Sequence, residues 1–208
     1  MTILSKGKQI RAAFLPLGLL LLAACSTRSE TGPSLEQLKL AYANEPYEVR
    51  IVNREKFDAR FRPTIVPAPQ GMPVGSILVD TRERFLYLVE EGGKARRYGV
   101  AVGASGHAWS GTATIGRKAK WPGWHPTDDM RNETPGLPQR IEPGPHNPLG
   151  TRALYLYQDG RDTLYRIHGT SEPWTIGTEA SSGCIRMLNE DVIDLYDWVA
   201  SGAMVRVI

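Results

Sequence analysis

The chain has 208 residues, 41% of them hydrophobic and 23% charged, with 21 Gly and 15 Pro. That length suits one ordinary domain with appendages; the apolar share excludes a disordered chain, and so much Gly and Pro argues against a long helical bundle. The formal charge of +3 comes from Lys6, Lys8 and Arg11, because without them 22 basic side chains face 22 acidic ones, so the charge gives no reason to expect a nucleic-acid partner.

Those three cations precede an apolar run, Ala12 to Ala24, broken only by Pro16 and Gly18. Thirteen residues rising about 1.5 Å each fall short of a hydrocarbon core of about 30 Å, so the run reads as an export signal and not as a membrane span. Its end, Leu22-Ala23-Ala24-Cys25, resembles the bacterial lipobox, which implies a signal peptide over 1–24, a lipid on Cys25 and attachment to a membrane. Ser26 at the next position then implies the outer membrane, with the domain on its periplasmic side. Cys184 is the second of two cysteines. If Cys25 carries a lipid, Cys184 is a lone thiol in an oxidising compartment, and a candidate nucleophile.

Residues 25–73 read as a tether, a short helix and an extended arm. Ser34-Leu35-Glu36-Gln37 has the form of a capping box, and the helix it opens runs to about Ala43, ahead of Pro46. Pro63, Pro67, Pro69 and Pro73 mark the arm. The compact domain is expected over 74–208. It begins with a hairpin, Ser76–Asp80 and Arg84–Val89 about a Thr-Arg-Glu turn, and continues with a strand from Arg96 to Val102. Residues 103–150 read as a long Gly/Pro-rich loop section of functional character. Strands at Leu154–Tyr157 and Leu164–Ile167 flank Asp159-Gly160. A helix follows with Asn189 as its N-cap, and Met204–Ile208 closes the chain as a strand. The fold class expected is mostly β, a β-rich α+β domain with one or two short helices.

The chemistry is concentrated between His168 and Met187. His168 ends a predicted strand and Cys184 lies sixteen positions on, behind Gly183. A free thiol with a pKa of about 8.5 is mostly protonated at neutral pH, and a neighbouring imidazole can take that proton. Gly183 permits the close backbone approach that an oxyanion site needs. Spacing alone equally allows a buried thiol beside a structural histidine. His107, His125 and His146 are scattered in the loop section with neither an H-E-x-x-H nor a C-x-x-C pattern, so no metal site is expected. No glycine-rich phosphate loop follows a strand, and no cofactor is expected.

The His168-Gly169-Thr170 start, the Ser181-Ser182-Gly183-Cys184-Ile185-Arg186-Met187 core and the Asn189-Glu190-Asp191-Val192 helix resemble the L,D-transpeptidase family (the YkuD or ErfK-like catalytic domain). Gly75-Ser76-Ile77-Leu78-Val79-Asp80, Asn147-Pro148-Leu149-Gly150 and Arg152-Ala153-Leu154-Tyr155-Leu156 extend the likeness over about residues 74–208. The resemblance implies a β-sandwich, Cys184 as nucleophile, His168 as its base and peptidoglycan stem peptides as substrate. Products would be cross-links, or an outer-membrane protein attached to the wall. The alternatives are an L,D-carboxypeptidase using the same pair with water as acceptor, and a catalytically silent peptidoglycan-binding lipoprotein. Ser182 stands where the family commonly has a histidine near the oxyanion. Arg186 is expected to face an anionic substrate or to form a structural ion pair, and Trp174, with Trp109, Trp121 and Trp124, to line a groove or to pack elsewhere.

Overall fold

The computed structural model describes residues 34–104 and 109–208. The expectations for the signal peptide, Cys25 and His107 lie outside them.

Nine strands form one hydrogen-bonded sheet in the order β1-β4-β3-β2-β9-β5-β6-β7-β8. The first half is a meander of β2 (Ile77–Asp80), β3 (Phe85–Glu90) and β4 (Lys94–Gly99), with β1 (Thr64–Pro67) added along β4. The second half is a meander of β5 (Gly111–Lys120), β6 (Arg152–Gln158) and β7 (Arg161–His168), with β8 (Ile185–Arg186) parallel to β7. The C-terminal strand β9 (Met204–Val207) joins the halves, running parallel to β2 and antiparallel to β5. The Asp159-Gly160 turn between β6 and β7 has both residues at positive φ, 51° and 75°, the twist that a tight hairpin needs.

Alternate residues of both halves point inward. Ile77, Val79, Leu86, Leu88, Tyr98 and Val100 from the first meet Ile115, Leu154, Leu156, Ile167 and Ile185 from the second in one core. The two layers of the expected sandwich are therefore faces of a single curled sheet. Among the described residues three α-helices accompany it: α1 (Leu35–Ala41), opened by the Ser34–Gln37 capping box, α2 (Asp128–Glu133) and α3 (Asn189–Trp198). Val192 and Leu195 of α3 seal the core.

Two expectations are corrected. The section 103–150 contains β5, the longest strand, and α2, so it is not a continuous loop. Only Ala113 and Ile115 of β5 are buried, which left too few inward apolar residues to reveal a strand. Asn189 is not the N-cap of α3; Leu188 holds that position. The Asn189 side chain is used elsewhere. Its Oδ1 accepts from the N–H groups of Thr151 (3.1 Å) and Thr170 (3.2 Å), and its Nδ2 donates to the Thr170 carbonyl (2.9 Å). It thereby ties the turn before β6 to the turn after β7.

Candidate active site

The parallel pairing of β7 with β8 sets Ile167 opposite Ile185 and His168 opposite Arg186. Both isoleucines enter the core. Because side chains alternate along a strand, His168 and Arg186 occupy the other face, joined by Arg166 and Cys184 two residues earlier. All four line one cavity of about 410 Å³, together with Ser182 and Tyr155. Sequence positions sixteen apart thus become neighbours on two adjacent strands.

Cys184 is half-buried and follows a turn that needs glycine, since Gly183 has φ 119°. Ser181 braces this turn. Its hydroxyl accepts from the Gly183 N–H (3.1 Å) and donates to the Cys184 carbonyl (2.6 Å). Gly183, expected in the oxyanion region for the close approach it permits, spends its own N–H on Ser181. The N–H groups of Ser182 and Cys184 have no acceptor among the described residues and are the free donors beside the thiol.

His168 is buried, and its Nδ1 lies 2.5 Å from the Gly169 carbonyl. A carbonyl only accepts, so Nδ1 carries the proton and Nε2 keeps its lone pair. Burial is the main reason its pKa falls to about 4, with Arg186 and Arg166 adding repulsion. The imidazole is therefore neutral at pH 7. Burial also pushes the Cys184 thiol upward, against the backbone and guanidinium of Arg166, which favour the thiolate. The thiol lies 3.9 Å from the Leu164 carbonyl. At rest the pair is a thiol and a neutral imidazole, not a thiolate–imidazolium ion pair. Such a pair suits nucleophilic attack in which the proton moves as the new bond forms.

The remaining expected residues divide. Ser182 is exposed on the cavity wall, and Arg186 lines it while donating to Glu172 (2.8 Å). Trp174 is 69% exposed and does not line the cavity. Trp121 is buried with Val49 and Ile193, Trp109 stacks on Tyr165, and Trp124 alone of the four reaches the cavity. His125 lines it too, whereas His146 lies against Arg50. No group of three or more His, Cys, Asp or Glu among the described residues could hold a metal ion. Sequence reasoning gave no role to Ser181, Tyr155, Arg166 or Arg117, although Ser181 and Tyr155 stand within segments that carry the resemblance.

Residues 75–207 match the model of the YkuD family, the L,D-transpeptidase catalytic domain, and the chain belongs to that family. Over 148 residues it is 34% identical to a protein named probable L,D-transpeptidase ErfK/SrfK of Escherichia coli (strain K12), a match covering 67% of this chain and 46% of that one. Over 157 residues it is 36% identical to a putative L,D-transpeptidase in ATP synthase subunits region ORF 5 of Fuscovulum blasticum, covering 74% of each. The chain thus spans about half the length of the first relative. A solved Brucella melitensis structure, described as a probable carnitine operon oxidoreductase caia, is 50% identical with a TM-score of 0.50, covering 71% of this chain and 94% of that one. The activity in that description differs, and it is said of that protein.

Proposed function

We propose that the chain is an L,D-transpeptidase that works through a thioester on Cys184. The observation that supports this reading most is the placement of Cys184 and a proton-accepting His168 on one face of β7 and β8, in one cavity. The thiol sulfur attacks the carbonyl that joins the L-centre of diaminopimelate to a terminal D-alanine, and its proton passes to His168 Nε2. That proton then goes to the leaving amine, D-alanine departs, and the stem remains as a thioester. An incoming amine attacks the thioester, His168 takes the amine's proton, and the thiol is restored. The free N–H groups of Ser182 and Cys184 are placed to stabilise the oxyanion formed in each half. The acceptor is the amine of a second stem or of an outer-membrane protein. The same reading has the chain exported and held by a lipid on Cys25 at the periplasmic face of the outer membrane.

Mass spectrometry of muropeptides tests this reading in cells that carry the wild type, Cys184→Ala, Cys25→Ser or no gene. Cys184→Ala should give the muropeptide profile of the gene-less strain while the protein accumulates normally. Cys25→Ser should leave the membrane fraction. A Cys184→Ala strain indistinguishable from the wild type would overturn the nucleophile, and Cys25→Ser protein that still sediments with membranes after a salt wash would overturn the anchor.

A further inference from the structure

Among the described residues four guanidinium groups line the cavity, those of Arg117, Arg140, Arg166 and Arg186, and no carboxylate does. Arg140 and Arg186 are matched by Glu142 (2.9 Å) and Glu172 (2.8 Å), which stand outside the lining. The other two differ. Arg166 pairs with Asp162 through Nη2 (3.1 Å), but its Nη1 is buried with no hydrogen-bond partner. Arg117 forms no ion pair among the described residues and lies over the Tyr155 ring, 3.5 Å from its centroid. Arg166 lies 4.6 Å from the same centroid.

The strand register explains how Arg117 comes to be there. Ala113 and Ile115 of β5 point into the core, so simple alternation would send Arg117 inward as well. Instead the register shifts between Ile115, opposite Leu156, and Arg117, opposite Tyr155. Gly116 is the extra residue, and a Cβ there would meet the Tyr157 ring at 2.3 Å. The bulge turns Arg117 to the cavity face, a common use of bulges beside functional sites. On the other side of β6, Tyr155 is opposite Arg166, and the β7–β8 register, continued to the residue before β8, brings Cys184 beside Arg166. Arg117, Tyr155 and Arg166 therefore form one row across three strands, with Cys184 at its end.

We infer that Arg117 and Arg166, on either side of Tyr155, bind the free side-chain carboxylate of the acyl-donor residue, so that the site selects stems in which that carboxylate is not amidated. The inference rests on the transpeptidase reading for the identity of the peptide. The side-chain carboxylate lies six bonds from the attacked carbonyl, so an extended side chain carries it past β7 towards the Tyr155 ring, against which both guanidinium groups lie, and a planar fork matches a carboxylate with two hydrogen bonds. An amide offers one acceptor and no charge.

The test uses the full chain carrying Cys184→Ala and two tetrapeptides, L-alanyl-γ-D-glutamyl-diaminopimelyl-D-alanine with the diaminopimelyl side-chain carboxylate free or amidated. Titration calorimetry should show the free acid binding at least tenfold tighter. Adding Arg117→Gln should bring the two affinities within about twofold, and Arg117→Lys should restore part of the difference. Equal affinities at the outset, or an Arg117→Gln loss that falls equally on both peptides, would overturn the inference. D-alanine release by the wild-type chain separates the two readings. Release from both peptides with the same KM removes the carboxylate selection and leaves the transpeptidase. Release from neither, with the binding difference intact, removes the transpeptidase and leaves the carboxylate site.

Discussion

His168 is the residue whose protonation decides what the cavity can do. With its pKa near 4 and Nδ1 committed to the Gly169 carbonyl, it offers a neutral Nε2 at every pH above about 5. An imidazole base with an ordinary pKa would behave differently, losing activity as pH falls through the range near 6.5. D-alanine release per enzyme should therefore stay level from pH 7 to about pH 5 and fall only as pH approaches 4. His168→Ala should slow release by about 10²–10⁴ at pH 7, the usual worth of a general base. Raising the pH should recover part of that loss, since hydroxide then makes the thiolate, and the recovery should begin above about 8.5 because burial raises the Cys184 thiol. A pH–rate profile of both proteins, read by D-alanine quantitation, carries the test. A wild-type profile that declines near pH 6.5 would show that burial does not depress His168.

At the scale of elements, the segment after α1 fastens α3, which in turn holds the turns on either side of the site. Arg54 donates to Asp191 through two bonds, of 3.2 and 2.5 Å, and the Val52 N–H donates to Glu190 (3.0 Å). Upstream, Glu45 receives Arg152 and Trp121 together, and its pKa is lowered chiefly by the Arg152 hydrogen bonds. Asp191 is only 4% exposed in its side chain, so without Arg54 its charge would be buried near Glu190 and Asp194. Arg54→Ala should destabilise the protein by about 3 kcal/mol at pH 7, the usual cost of stranding one member of a buried pair. Arg54→Ala combined with Asp191→Asn should recover most of it. Urea unfolding of the two variants and the wild type would decide the point, and equal losses in the single and double variants would mean that the charge is not what Arg54 supports.

For the whole molecule, two buried groups pull the pH dependence of stability in opposite directions. The pKa of His168 is depressed from 6.5 to about 4, so below 6.5 the unfolded chain gains a proton that the folded chain refuses. Stability then falls with pH. Burial raises Asp191 from 3.8 to about 6, so below 6 the folded chain takes up a proton that the unfolded chain does not yet hold. Stability then rises as pH falls. Between pH 6.5 and 5 the histidine costs about 2 kcal/mol and the aspartate returns about 1 kcal/mol, so these two contributions largely offset each other. Glu45, with its pKa below the ordinary 4.5, adds its acid loss only at lower pH. Asp191→Asn should uncover the histidine effect, making the variant about 2 kcal/mol less stable at pH 5 than at pH 6.5 while the wild type changes little. Denaturation curves at the two pH values would measure this, and a variant equally stable at both would show that His168 is not held neutral.

Much of the sheet was legible because its strands are apolar runs set between turn residues. Such runs located β2, β3 and β6, and the Asp159-Gly160 pair located the turn after β6. β5 was hidden because it buries two of its ten residues and breaks its alternation at Gly116. Asn189 looked like a cap because a cap is a local pattern, whereas its real partners, Thr151 and Thr170, are distant in sequence. The amino-acid sequence by itself determined the β-rich class and the family, which rest on local strand and motif patterns, and it named His168 and Cys184 as candidates without placing them together. Only the tertiary structure decided that His168 is neutral, that the Gly183 N–H is already engaged, and that Arg117 and Arg166 flank Tyr155 in the row that reaches Cys184. Burial, hydrogen-bond partners and cross-strand register are set by segments far apart along the chain, and no local pattern of residues encodes them.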